Sequence, residues 1–299
     1  LKKQKFQVSA GYIDLSKDSK KKEIASKVAS FLDVPFFSFD FSKEFQEKIV
    51  SSFIEKYRLG LTPNPCVDCN KEIKFDLFLK KALSLNFDYI ATGHYAINRQ
   101  GKIFKGKDKN KDQSYFLWRL RKQDLKRIIF PLGEYFKKEV KVLGQKIPHS
   151  KESQEVCFVK ENIDSFLEKK IKKNPGLIVD DKGKVLGQHQ GLFFYTIGQR
   201  RKINLPNGPY FVVNKDIKKN ILFVSLKNDF KKQVFLEKIN WLGDSKDFTK
   251  VSVRYHQEPV PGRLEKNKLI FKTPQKNVAS GQSAVFYYRN QLLGGGIIK

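Results

Sequence analysis

The apolar period changes once along this chain, near Asn162, and no other feature limits its fold as much. Ahead of that point, strand-like runs alternate with helix-like ones. Phe6 to Ile13 reads as a strand, Ile24, Val28, Phe31 and Leu32 recur at helical spacing, and a second strand is expected around Pro35 to Phe39. Phe41, Phe45, Ile49, Phe53 and Tyr57 then stand four residues apart, which predicts a long helix stopped at Gly60. After a proline-rich loop, Ile73, Leu77, Phe78, Ala82 and Leu85 mark another helix, which leads into an apolar strand from Asp88 to Gly93. Such alternation predicts a parallel α/β sheet, whose ligands sit at the carboxyl ends of strands, here at Asp14 and Gly93-His94.

Beyond Asn162, short β-rich runs separated by turn signals (DDKGK, LPNGPY, NKDIKKN) take over, and alternating runs continue to Lys299. The expected organisation is an α/β domain over 1–161, a central β-rich domain over 162–233 and a β-barrel-like domain over 234–299. The 59 Lys and Arg against 31 Asp and Glu leave a formal charge of +28, which points to a polyanionic partner, nucleic acid first. A surface filled by lysine as a default is the plain alternative. There is no apolar run of about 18 residues and no secretion-signal pattern, so a cytoplasmic protein is expected. No methionine occurs, even at position 1, which suggests that the sequence is missing its beginning.

The chemistry-bearing residues cluster. In GLTPNPCVDCNKEIKF two prolines hold a loop that presents Cys66 and Cys69 at the start of a helix. Placed near a helix N-terminus, Cys69 is expected to have its thiolate favoured by unpaired N–H groups and the macrodipole. A C-x-x-C by itself fits a redox pair, half a zinc site or inert buried cysteines. The third cysteine, Cys157, follows in KESQEVCFV. Three cysteines exclude a four-cysteine zinc site, and zinc on three cysteines with His94 or His149 has no second ligand pair to support it.

The segments GLTPNPCVDCNKEIKF, DYIATGHYA, KDQSYFLW, KESQEVCF, GQHQGLFFYTIGQR and GQSAVFYYRNQLLGGGII together resemble, in order and spacing, the bacterial tRNA-specific 2-thiouridylases, from about Phe6 to Lys299. The resemblance implies an adenine-nucleotide α-hydrolase-like N-terminal domain that uses ATP with Mg²⁺, and a tRNA-uridine 2-sulfurtransferase activity. The wobble uridine of tRNAs for lysine, glutamate and glutamine would be adenylated at its C2 oxygen and then thiolated. By the same resemblance Cys157 would carry sulfur as a persulfide. Cys69 would be the nucleophile that releases it, with a Cys69–Cys157 disulfide as an expected state of the cycle. Gly93 would meet ATP. Asn64, Pro65, Cys66, His94, Lys111, Asp112, Gln113, Arg254, Tyr255 and Gln282 would contact tRNA, whose anticodon-loop bases can be splayed into a pocket. A cysteine desulfurase or sulfur-relay protein would be the donor.

The chain also departs from the family. The SGGVDSS-type loop that cradles the pyrophosphate is absent, and Leu1 aligns with the later part of the helix after it, so the first strand of the sheet and most of the phosphate site are expected to be missing. Some members carry Asp, assigned as a general base, where Cys66 stands; Asp68 is the nearest substitute. An iron–sulfur cluster on Cys66, Cys69 and Cys157 is one alternative. A basic tRNA-binding protein without catalysis is another.

Overall fold

A computed structural model describes residues 1–145, 147, 156–244 and 248–299. β1 (Ala10–Asp14) pairs in parallel with β2 (Phe36–Asp40), and α1 (Ser19–Phe31) crosses between them. Asp18 starts that helix by accepting from the Lys21 N–H at 3.2 Å. The strand begins later than the sequence suggests, and Phe6 lies on the surface. So do Phe31 and Leu32, 56% and 41% exposed: α1 buries only Ala29, because no described element covers its other apolar side.

The next helix holds a long apolar line by changing its winding. α2 (Ser42–Phe45) and α3 (Ser52–Arg58) flank a π-wound turn, Gln46–Ser51. In an α-helix each step of four residues overshoots a full turn by about 40°, so a strict four-residue series drifts off its own face. The wider turn corrects that drift, and Phe45, Ile49, Phe53 and Tyr57 are all buried. Gly60 ends the segment at φ +70°, as expected, and a Cβ there would collide with Ile217 Cδ1 at 2.2 Å.

The cysteine-bearing helix is built the same way, with α4 (Pro65–Cys69) passing into the π-wound Asn70–Leu77 and then α5 (Phe78–Ser84). The chain then enters β3 (Ile90–Ala91), an antiparallel hairpin of β4 (Ala96–Arg99) and β5 (Lys102–Lys105), and β6 (Ile128–Ile129), which pairs in parallel with β3. The parallel sheet is therefore present as two separate pairs, β1–β2 and β3–β6, with no ladder joining them among the described residues. A cavity of about 1200 Å³ is lined from both, by Gly11, Ile13, Phe37 and Phe39 on one side and Ile90 and Ala91 on the other.

After α6 (Lys137–Gly144) and α7 (Ile163–Glu168), a small sheet forms from β7 (Gly176–Val179), β8 (Val185–His189), β9 (Phe211–Asp216) and β10 (Ile221–Ser225), in the order β8-β7-β10-β9. Its core is Ile178, Leu192, Val212, Leu222 and Val224. The last strands are β11 (Phe230–Trp241), β12 (Lys250–Ser252), β13 (Val260–Glu265), β14 (Lys268–Lys276), β15 (Ser283–Tyr288) and β16 (Gln291–Ile298). They run in the order β11-β14-β13-β12-β15-β16 and close through β11–β16 into a six-stranded barrel. The barrel is not independent of the first domain. β5 pairs with β16 at Phe104 and Gln291, and the fully buried Trp118 packs on Gly295 and donates from Nε1 to Ser283 Oγ at 3.0 Å. The observed class is thus a parallel α/β N-terminal domain followed by two β-rich domains, the last a closed barrel.

Candidate active site

Both expected strand ends are occupied, with different tasks. Asp14 accepts from the backbone N–H groups of Ser16 (3.1 Å) and Lys17 (2.7 Å), so it shapes the turn after β1. Gly93 stands on the cavity wall, where an added Cβ would touch only Leu132 Cδ1, at 3.6 Å. His94 beside it is buried, with Nδ1 2.8 Å from Thr92 Oγ1 and Nε2 3.2 Å from Asn70 Oδ1. Asn70 donates its Nδ2–H to the Phe116 carbonyl at 3.1 Å, so its Oδ1 accepts, and His94 carries its proton on Nε2. Burial, reinforced by the Lys74 charge, holds this imidazole well below the ordinary histidine value, and it is neutral at pH 7.

Asn70 follows Cys69 directly, so the His94 contact fixes the helix that carries the cysteines. Pro65 occupies its first turn, where a missing N–H costs nothing. The helix begins earlier than expected for Cys69: that residue closes α4, and Cys66 is the one in the first turn. The expected lowering of the Cys69 pKa is also overturned. Cys69 is buried, and loss of water pushes its thiol up to about 12; Cys66 and the exposed Cys157 are raised for the same reason. The charge of Lys74 opposes this at all three sulfurs. All three cysteines are free, so the Cys69–Cys157 disulfide is not formed in this structure.

Cys157 is held in place through its neighbour. Phe158 packs edge-on against Phe45 (5.7 Å), Phe53 (5.3 Å) and Phe166 (5.6 Å), which anchors an otherwise exposed turn. His149 and most of the residues ahead of Cys157 lie outside the described residues. Among the described residues no three His, Cys, Asp or Glu side chains are grouped so that they could hold a metal ion. The cysteine set therefore does not fit an iron–sulfur cluster or zinc in this arrangement.

Asp68 is not available as a base in place of the residue at Cys66. Its carboxylate is paired with Lys56 Nζ at 2.5 Å and with Arg119, and all three side chains are largely buried. The loop ahead of α4 is clamped from the barrel: Thr62 N–H donates to Ser280 O at 2.8 Å, and Gln282 Nε2 donates to Thr62 O at 2.9 Å. Asn64 and Pro65 lie just past that clamp.

Of the other sequence-selected residues, Gln113 lines the cavity, and the rest lie outside its wall. Tyr255 packs against Phe116 with ring centroids 4.4 Å apart and the rings tilted by 50°; burial first, then Asp112 and Cys66, push its hydroxyl up to about 12. Arg254 and Lys111 are exposed. Asp112 accepts from Gly106 N–H (2.9 Å), Ser114 N–H (3.1 Å) and Ser114 Oγ (2.9 Å), and Gln113 Oε1 accepts from Tyr95 N–H at 3.0 Å. These two side chains order the loops around His94. Sequence reasoning missed Asn70, Thr92, Lys56, Arg119, Phe158 and Lys74, since their roles come from long-range pairing that leaves no local pattern.

Three family models match the chain: a tRNA methyl transferase HUP domain over residues 2–161, a tRNA methyl transferase PRC-barrel domain over 164–226 and an aminomethyltransferase beta-barrel domain over 231–298. Similar proteins include the tRNA-specific 2-thiouridylase MnmA of Carboxydothermus hydrogenoformans, 40% identical over 92% of this chain and 82% of its own length. The protein of the same name from Nitrosomonas eutropha is 40% identical over 92% and 84%, and that from Thermus thermophilus 38% identical over 92% and 78%.

Proposed function

We propose, from the premise that this chain belongs to the family of tRNA-specific 2-thiouridylases, that it replaces the C2 oxygen of a tRNA wobble uridine with sulfur. The observation that carries this reading is that Lys74, on the wall of a cavity of about 1200 Å³ that also includes Gly93, acts through its charge on three free thiols of unequal exposure. That volume suits a nucleotide, and Gly93 leaves its backbone open to one. ATP, when bound, would supply the adenylyl group that makes the uridine oxygen a leaving group. Lys5 and Lys74 are the cations on the cavity wall that would face its phosphates.

The chain's own residues divide the remaining work. Cys157, exposed on an anchored turn, is the thiol that a sulfur-donor protein can reach, and it would hold the incoming sulfur as a persulfide. Cys69, buried behind it, would attack the Cys157 sulfur; the Cys69–Cys157 bond forms, the persulfide S–S bond breaks, and its electron pair leaves on hydrosulfide aimed at C2. Neutral His94 keeps the cysteine helix in register through Asn70. Lys111, Arg254 and the remainder of the +28 charge supply contacts to phosphate, and Tyr255 offers an aromatic face to an unstacked base.

Mass spectrometry of tRNA incubated with the protein, ATP and a sulfur donor tests the proposal. It expects 2-thiouridine at the wobble position, lost on Cys69→Ala or Cys157→Ala. Binding of tRNA without any thiolation would instead identify a binding protein.

A further inference from the structure

Lys74 lines the cavity and also acts on every thiol, yet the scheme above gives it no part in sulfur chemistry. Its position follows from the helix winding. At about 100° per residue, an α-helix would set Lys74 roughly 140° around the axis from Cys69, away from it. In the π-wound stretch Asn70–Leu77 the hydrogen bonds span five residues, as from Phe78 N–H to Ile73 O, so the fifth residue returns close to the starting line. Lys74 is that fifth residue.

Its neighbours are neutralised and it is not. Lys71 pairs with Glu72 at 3.1 Å and Lys80 with Asp76 at 2.9 Å, whereas half-buried Lys74 pairs with no carboxylate among the described residues. The titratable groups around it are Cys66 and Cys69 on its own helix, Cys157 on the anchored turn and His94 after β3. Asp68 acts on Cys69 and Lys21 on Cys157; the Asp68 charge is already balanced by Lys56 and Arg119.

We propose that Lys74 is the positioning cation of the sulfur site, held against the cysteines by the widened helical turn so that its ammonium stabilises anionic sulfur on Cys69 and Cys157. This rests on reading those cysteines as sulfur carriers. Each thiol loses its proton to solvent, and no bond is made to Lys74.

Iodoacetamide alkylation of Cys69 and Cys157 in the full chain, followed by peptide mass spectrometry across pH, tests it without tRNA or ATP. At about pH 8 Lys74→Gln is expected to slow alkylation of both about fivefold and move the pH midpoint upward, while Lys74→Arg keeps the original profile. An unchanged profile in a folded Lys74→Gln protein overturns the proposal. If that variant does not fold, Lys74→Met takes its place in the same assay: slower alkylation of both thiols is expected, and an unchanged profile overturns the proposal. Absence of thiolation by the unsubstituted chain would defeat the functional reading and leave this test intact.

Discussion

The barrel and the N-terminal layer are both made of hydrogen-bonded strands, but they handle their edges in opposite ways. Six barrel strands close on themselves through β11–β16, and Phe271, Phe286 and Leu269 fill the interior without contact with water. In the N-terminal layer β1 and β3 each pair on one side only among the described residues, Phe31 and Phe37 are part-exposed, and a large cavity stands between the pairs. The contrast predicts that stability is concentrated where the edges are satisfied and that reactive groups lie where they are not.

Substitutions can break that division or sharpen it. The largest effect is expected from Cys157→Ser, which should abolish tRNA thiolation while moving the urea midpoint by less than about 0.5 kcal/mol equivalent, since Cys157 is exposed. Retained thiolation would remove the N-terminal site from the comparison. In the barrel, Phe286→Ala should cost about 3–5 kcal/mol in denaturant unfolding, against less than about 1 kcal/mol for Phe37→Ala; equal costs would show that the two layers do not differ. Asp68→Asn leaves Lys56 and Arg119 buried against a neutral partner, and a loss of about 2 kcal/mol is expected in the same assay.

The smallest effect is a pH dependence. His94 has a lowered native value, so between the ordinary value near 6.5 and that lower one the unfolded chain binds more protons than the folded protein. Stability from this group is complete above that window and is lost as pH falls through it. Buried His189 is also lowered, by loss of water, and adds to the same fall. Unfolding midpoints at about pH 7 and 5 should differ by roughly 1 kcal/mol less in a His94→Gln variant than in the parent.

Much of this was legible from residue order. The change of period near Asn162, the Gly60 stop, the proline-led cysteine helix and the strand end at Gly93-His94 are local signals, and local signals survive into the fold. Even the widened turn left a trace, because apolar residues at a strict four-residue interval from Phe41 to Tyr57 suit a period longer than 3.6. What the sequence concealed was set by distant partners. Burial raises the Cys69 thiol against the helix dipole, and the ion pairs at Asp68 come from two other elements. The covering of Phe31 and Leu32 expected from periodicity does not occur, since an amphipathic pattern says which face is apolar and not what will lie on it.

The pairing of β5 with β16 carries a consequence for how the molecule is made. Phe104 meets Gln291, the Lys105 N–H donates to Asn290 O at 2.9 Å, and Gln282 grips the loop ahead of the cysteines. During synthesis the first domain leaves the ribosome long before these partners exist. Its hairpin and its thiol-bearing loop must wait, unclasped, until β16 is released, so the centre is completed late although its cysteines are translated early.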